Sequence, residues 1–133
     1  MITDPEGSGV VPTLTIYQKP TCSTCREVMM RLRDAGVEFD AINYVTDPPS
    51  RRKLGELVRK MGIAPRDLLR TKEPEYLQLG LDDPAVDGGT ILDAMAEHPI
   101  LIQRPIIEYG RRALLARPAE RVSEALQAWG LAG

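Results

Sequence analysis

Leu14-Thr15-Ile16-Tyr17-Gln18-Lys19-Pro20-Thr21-Cys22-Ser23-Thr24-Cys25-Arg26-Glu27 is the stretch that decides the fold. Its first four residues alternate apolar and polar and favour extended backbone, so they read as a strand. Gln18 to Cys22 is a loop, and Thr24-x-x-Glu27 has the spacing of a capping box that opens a helix. Cys25, Val28, Met29 and Leu32 then fall at i, i+3, i+4 and i+7, one apolar stripe of a helix. Ala35-Gly36 ends that helix, and Val37 to Tyr44 reads as a second strand.

Working outward, residues 1 to 12 read as a flexible leader, with turn-forming Asp4-Pro5-Glu6-Gly7-Ser8-Gly9 and nothing to bury. Residues 13–133 read as one domain. Asp47-Pro48-Pro49-Ser50 launches a helix striped by Leu54, Leu57, Val58 and Met61 and stopped by Gly62. Short helical pieces follow at 65–69 and 73–79, then a longer helix that ends at Glu97, since the residue before Pro99 disfavours helical angles. Ile100-Leu101-Ile102 and Pro105-Ile106-Ile107-Glu108 read as strands, and Tyr109-Gly110-Arg111 as the turn of a hairpin continuing into Ala113-Leu114-Leu115. A last helix is expected from Pro118, striped by Val122, Ala125, Leu126 and Trp129. The order β-α-β, helical stretch, β-β-α outlines an α/β, thioredoxin-like fold: a central four-stranded mixed sheet with an inserted helical lobe.

The 133 residues carry 17 Lys and Arg against 19 Asp and Glu, a net charge of -2, which gives no support to a nucleic-acid binder. No stretch is long and apolar enough to span a bilayer, and the N-terminus lacks the features of a signal peptide, so a cytoplasmic protein is expected. In that compartment two cysteines so close together stay reduced rather than staple a fold. With two Cys and one His in the chain, no metal site is expected.

Cys22 would lie at the N-terminus of the first helix, where unpaired amides and the helix dipole favour thiolate over thiol. Those amides also suit a tetrahedral oxyanion. Lys19 and Arg26 are near enough in sequence to reinforce both effects. Cys25 admits two readings: it lies on the apolar stripe and packs there as a small hydrophobe, or it is a resolving thiol. His98, the single histidine, reads as a helix C-terminal residue rather than a catalytic one. Trp129 reads as packing.

The sequence resembles the ArsC-type arsenate reductases from about Leu14 to about Trp129. The residues that carry the likeness are Ile16-Tyr17, Pro20-x-Cys22-x-x-x-Arg26, Tyr44 with Pro48-Pro49, and Met61-Gly62-Ile63 with Leu68-Leu69-Arg70. His98-Pro99-Ile100-Leu101-Ile102, Arg104-Pro105-Ile106 and Ala116-Arg117-Pro118 complete the series. The resemblance implies that Cys22 is the nucleophile and that Arg70, Arg104 and Arg117 hold the oxyanion, where guanidiniums offset the repulsion between arsenate and a thiolate. Nothing in sequence spacing alone selects these three over Arg66, Arg111 or Arg112. It also implies a cis-proline at Pro105, a monomer, no tightly bound cofactor, and glutathione as co-substrate with glutaredoxin as reductant. Thioredoxin takes that place if Cys25 resolves the Cys22 adduct.

Two positions depart from the family pattern. Gln18 stands where many members have histidine, and Cys25 where the glutathione-dependent members usually have a hydroxyl residue. The resulting C-x-x-C is similar to the Spx-type branch, redox-sensing regulators that bind RNA polymerase. That regulator, or a thiol oxidoreductase acting on another substrate, is the alternative to arsenate reduction.

Overall fold

A computed structural model describes residues 12–131. The expected leader lies outside the described residues, save Pro12. The chain divides into two compact units, one built from the segments flanking residues 44–103 and one from those residues themselves.

The first unit holds the sheet. Its strands are β1 (Leu14–Gln18), β2 (Phe39–Asn43), β3 (Ile106–Tyr109) and β4 (Arg112–Leu115), in the order β2-β1-β3-β4. β1 and β2 are parallel, joined through helix α1 (Ser23–Asp34), while β3 and β4 form an antiparallel hairpin. Gly110, at φ 59°, supplies the left-handed backbone that the hairpin turn requires. The mixed sheet is thus the expected one.

Alternation along β1 sends Leu14 and Ile16 to one face, where Val28 and Leu32 of α1 and Val122, Ala125 and Leu126 of α5 (Arg121–Ala128) close over them. Each fully buried Val, Leu or Ile side chain among these contributes about 1.5–3 kcal/mol. Trp129 packs as expected, stacked on Tyr109 with ring centroids 6.3 Å apart.

Register fixes what lies at each end of the sheet. Tyr17 pairs with Ile106, and Ile106 with Leu115. Arg104-Pro105 and Ala116-Arg117, just outside those pairs, therefore emerge at the end of β1 that leads into the Cys22 loop. Arg111 in the hairpin turn and Arg112 at the start of β4 lie at the other end, about 10 Å further along the strands at 3.3 Å per residue.

The second unit is helical. It comprises α2 (Arg51–Met61), α3 (Pro74–Gln78), α4 (Gly88–Glu97) and 3₁₀ turns at Pro65–Leu68 and Pro99–Leu101. Leu54, Leu57 and Val58 of α2 and Ile91, Leu92 and Met95 of α4 are buried. Gly62 ends α2 at φ 68°, as expected.

Three local expectations are corrected. Ile100-Leu101-Ile102 is not a strand: Pro99 opens a 3₁₀ turn, and only Ile102 makes a β-bridge, to Leu69. The last helix starts at Arg121 rather than Pro118; i→i+3 bonds to the carbonyls of Pro118, Ala119 and Glu120 lead into it. The capping box at Thr24 does not form, because the N-cap of α1 is Cys22, two residues earlier, and Glu27 instead pairs with Arg31 at 3.0 Å.

Candidate active site

Cys22 is the N-cap residue of α1. Its backbone N–H donates to Lys19 O at 2.9 Å, closing the loop, and its carbonyl accepts the first helical bond, from Arg26 N–H at 3.1 Å. No side-chain cap hydrogen bond closes this turn. Where Ser, Thr, Asp or Asn would offer an oxygen, the helix offers its free amides to a sulfur.

That exchange governs the thiol. Burial by itself would raise the pKa of Cys22. The backbone N–H of Cys25, the Cys25 thiol, the Arg104 guanidinium and the backbone N–H of Thr24 outweigh it, in that order, and bring the value down to about 7. The two amides are those of the first helical turn, so the expected effect of the helix start is present. Cys22 remains partly exposed, whereas Cys25 is wholly buried.

Arg104, 8% exposed, donates to the Cys22 sulfur and directly precedes Pro105 through a cis peptide bond. Arg117 donates from Nη1 to Arg104 O at 3.1 Å. Within the first unit, sheet register thus gathers Cys22, Cys25, Arg104, Pro105 and Arg117 at one end. Arg117 also precedes a second cis-proline, Pro118, which the sequence reading did not anticipate.

Arg26 does not act on the thiol as expected. It turns back to Pro20 O at 3.1 Å and braces the loop. Lys19 contributes through its backbone, whose N–H acts on the Cys25 sulfur.

Arg70 belongs to the second unit. Its N–H donates to Leu101 O at 2.7 Å and its Nε to Glu73 Oε2 at 3.1 Å. Arg66, a competing candidate on sequence grounds, is consumed by structure: it binds the carbonyls of Leu81, Asp83 and Val86. His98 is the C-cap residue of α4, its N–H bonded to Ala94 O.

The sequence reading missed the buried pair of Tyr17 and Glu108, and it placed Gln18 in the loop rather than buried at the end of β1. Tyr17 donates its hydroxyl to Glu108 Oε1 at 2.8 Å across β1 and β3. Gln18, the last residue of β1, is 6% exposed, and its Oε1 has no hydrogen-bond partner among the described residues. Strand alternation would have marked both Tyr17 and Glu108, yet no local signal pairs residues so far apart in sequence. Among the described residues no cluster of His, Cys, Asp and Glu is arranged to hold a metal ion, and no helix is long and apolar enough to cross a membrane.

A parallel βαβ unit carrying a C-x-x-C at its helix start, followed by a cis-proline and an antiparallel hairpin, places the molecule in the thioredoxin-like class. Comparison with known proteins narrows this. The ArsC family profile matches residues 17–125. Arsenate reductase of Rhizobium meliloti (strain 1021) is 40% identical over 114 residues, 86% of this chain and 81% of that protein. An Escherichia coli arsenate reductase is 41% identical over the same shares of each chain. The structure of an arsenate reductase from Vibrio cholerae superposes with a TM-score of 0.82 at 35% identity, covering 86% of this chain and 98% of that one. The chain belongs to the ArsC family.

Proposed function

We propose that this protein is an arsenate reductase, with Cys22 as nucleophile and Arg70, Arg104 and Arg117 as the groups that hold the oxyanion. The observation that carries the reading is the partly exposed Cys22 thiol, held down to about 7 at a helix N-terminus beside the Arg104 guanidinium. At neutral pH a large share of Cys22 is then thiolate, the form that attacks.

In the first step the Cys22 sulfur attacks arsenic. The S–As bond forms, one proton is taken up, and an arsenate oxygen leaves as water. Substrate and nucleophile are both anionic, so their approach depends on fixed positive charge, and guanidinium forks match tetrahedral oxyanions in geometry as well as sign. Arg104 serves both partners, lowering the thiol pKa and facing the incoming anion. Arg117 braces it through the Arg104 carbonyl. In Arg70, Glu73 holds Nε, and the terminal nitrogens are the ones assigned to substrate.

The second step releases arsenite and requires another thiol. Family resemblance supports glutathione there, with glutaredoxin clearing the mixed disulfide.

The test is arsenite formation by purified protein given arsenate and NADPH, coupled in parallel to glutathione with glutaredoxin and to thioredoxin with its reductase. The expected result is arsenite in at least one arm and none above background from Cys22→Ser. Arsenite in no arm, or equal rates from Cys22→Ser, would contradict the assignment.

A further inference from the structure

At 3.6 residues per turn, Cys22, Arg26, Met29 and Arg33 follow one another at i, i+4, i+7 and i+11 and form a single line that starts at the nucleophile and runs down α1. Beside that line lies a groove of about 420 Å³, lined by Gln18, Pro20, Arg26, Met29, Met30 and Arg33. Such a volume suits a small ligand. Its floor is apolar, and Met30 leaves 58% of its side chain exposed there. Arg26 donates to the Pro20 carbonyl at 3.1 Å, and Arg33 lies over the Phe39 ring, 5.6 Å from its centroid. Among the described residues no carboxylate forms an ion pair with either arginine, and Glu27, on the far flank of the helix, is held by Arg31. Stacking uses the face of the Arg33 guanidinium and leaves its in-plane N–H groups for an anion. Gln18 adds a buried amide oxygen that no described donor meets, the kind of group that a ligand N–H satisfies.

We propose that this groove binds the thiol that discharges the Cys22 adduct: an acidic thiol tripeptide of the glutathione type, laid along α1 with its sulfur toward Cys22 and its two carboxylates toward Arg26 and Arg33. The assignment deepens the arsenate reading above, on which it rests for the identity of the adduct. In the step itself the tripeptide thiolate attacks the Cys22 sulfur. The S–S bond forms as the S–As bond breaks, and the S–As electron pair departs on arsenic, which leaves as arsenite and takes up protons from water. Arsenic gains two electrons and the two sulfurs lose two, so that Cys22 is left in a mixed disulfide with the tripeptide.

Length and charge select this occupant. At 1.5 Å per residue, Arg26 stands about 6 Å and Arg33 about 16 Å along the axis from Cys22. Helical side chains lean toward the N-terminus, so both guanidiniums reach back toward the nucleophile, as Arg26 does in its bond to Pro20. An extended tripeptide spans about 10 Å. With its sulfur at Cys22 it covers Arg26 and extends toward the Arg33 guanidinium, whereas a single-residue thiol stops at Arg26. Glutathione brings two carboxylates for two guanidiniums and two peptide N–H groups for the Gln18 oxygen. Methionine side chains adapt their shape to the backbone laid over them. An uncharged thiol gains nothing from either arginine.

The experiment loads Cys22 with thionitrobenzoate in a Cys25→Ala background, so that no second thiol displaces the label, and follows release of the coloured thiol as glutathione is varied. Cys25→Ser serves as a second background should the first fold poorly. The expected result is a saturating rate, with the KM for glutathione raised roughly three- to ten-fold by Arg33→Glu and by Arg26→Gln at an unchanged plateau. Glutathione diethyl ester, which lacks both carboxylates, should respond to neither substitution. The pH midpoint of Cys22 alkylation should be the same in each variant, and Arg33→Glu, remote from the loop, decides should Arg26→Gln shift it. A rate that rises linearly with glutathione and is unchanged by Arg33→Glu, or a diethyl ester as effective as glutathione, would overturn the proposal. So would variants that slow only the reduction of the mixed disulfide by glutaredoxin, which would give this face to a protein. No arm contains arsenate, so failure here leaves the arsenate reading intact, and failure of the arsenate assay leaves the groove standing.

Discussion

Three helices of this molecule begin in two different ways. α2 starts at Ser50, whose hydroxyl accepts from Lys53 N–H at 3.0 Å, and α4 at Asp87, whose carboxylate accepts from Thr90 N–H at 2.7 Å. Both spend their free amides on an oxygen and gain stability. α1 starts at Cys22 and makes no such bond. Its amides act instead on a sulfur whose charge they favour, so the first turn forgoes capping energy and gains a nucleophile. The same backbone geometry therefore serves stability in one unit and reactivity in the other, and one side-chain atom decides which.

That contrast can be broken in both directions. The largest effect expected is from Cys22→Ser: arsenite formation falls to background, while urea unfolding shows a stability gain of up to about 1 kcal/mol, because serine is a good N-cap. Loss of activity with loss of stability would show that Cys22 was also holding the loop. Next, Arg104→Gln should move the Cys22 thiol up from about 7 toward the ordinary thiol range. Alkylation of Cys22 at neutral pH should slow roughly three- to ten-fold, and an unchanged rate would leave the helix amides and the Cys25 thiol as the causes. On the other side of the comparison, Ser50→Ala should cost about 1 kcal/mol in urea unfolding with activity retained.

The smallest effect is a pH dependence. The Thr90 N–H lowers the pKa of Asp87 below its usual value. A carboxylate lowered in the folded state stabilises above its unfolded pKa, and that contribution is lost as pH falls through the folded value. The urea midpoints of wild type and Asp87→Ala should therefore differ at neutral pH and converge in acid. A constant difference would assign the effect to something other than the cap.

How much of this could be read in the sequence followed the range of the forces involved. Strand alternation, helix stripes and the stops at Gly36 and Gly62 are local, and among the described residues the four strands of the sheet and the first four α-helices fell close to where those patterns put them, whereas the last helix starts at Arg121 rather than Pro118. The Ile100-Leu101-Ile102 segment misled because three apolar residues look like a strand, whereas Pro99 opens a 3₁₀ turn closed by bonds from Leu101 N–H to His98 O and from Ile102 N–H to Pro99 O. Thr24 misled because its spacing to Glu27 suited a capping box, and cysteine is not an oxygen cap. In the candidate site, Cys22 was legible from strand, loop and C-x-x-C. Arg104 and Arg117 became candidates only through family resemblance; their meeting depends on the pairing of Ile106 with Tyr17 and Leu115, a matter of register across distant segments. The Tyr17–Glu108 bond is hidden for the same reason.

The central claim is that the start of α1 holds Cys22 as a thiolate near neutral pH. Its most direct test is the pH dependence of iodoacetamide alkylation at Cys22, quantified by peptide mapping in the folded wild-type protein. The account predicts a rate that is half-maximal near pH 7. A midpoint at the ordinary thiol value of 9.0 would contradict it.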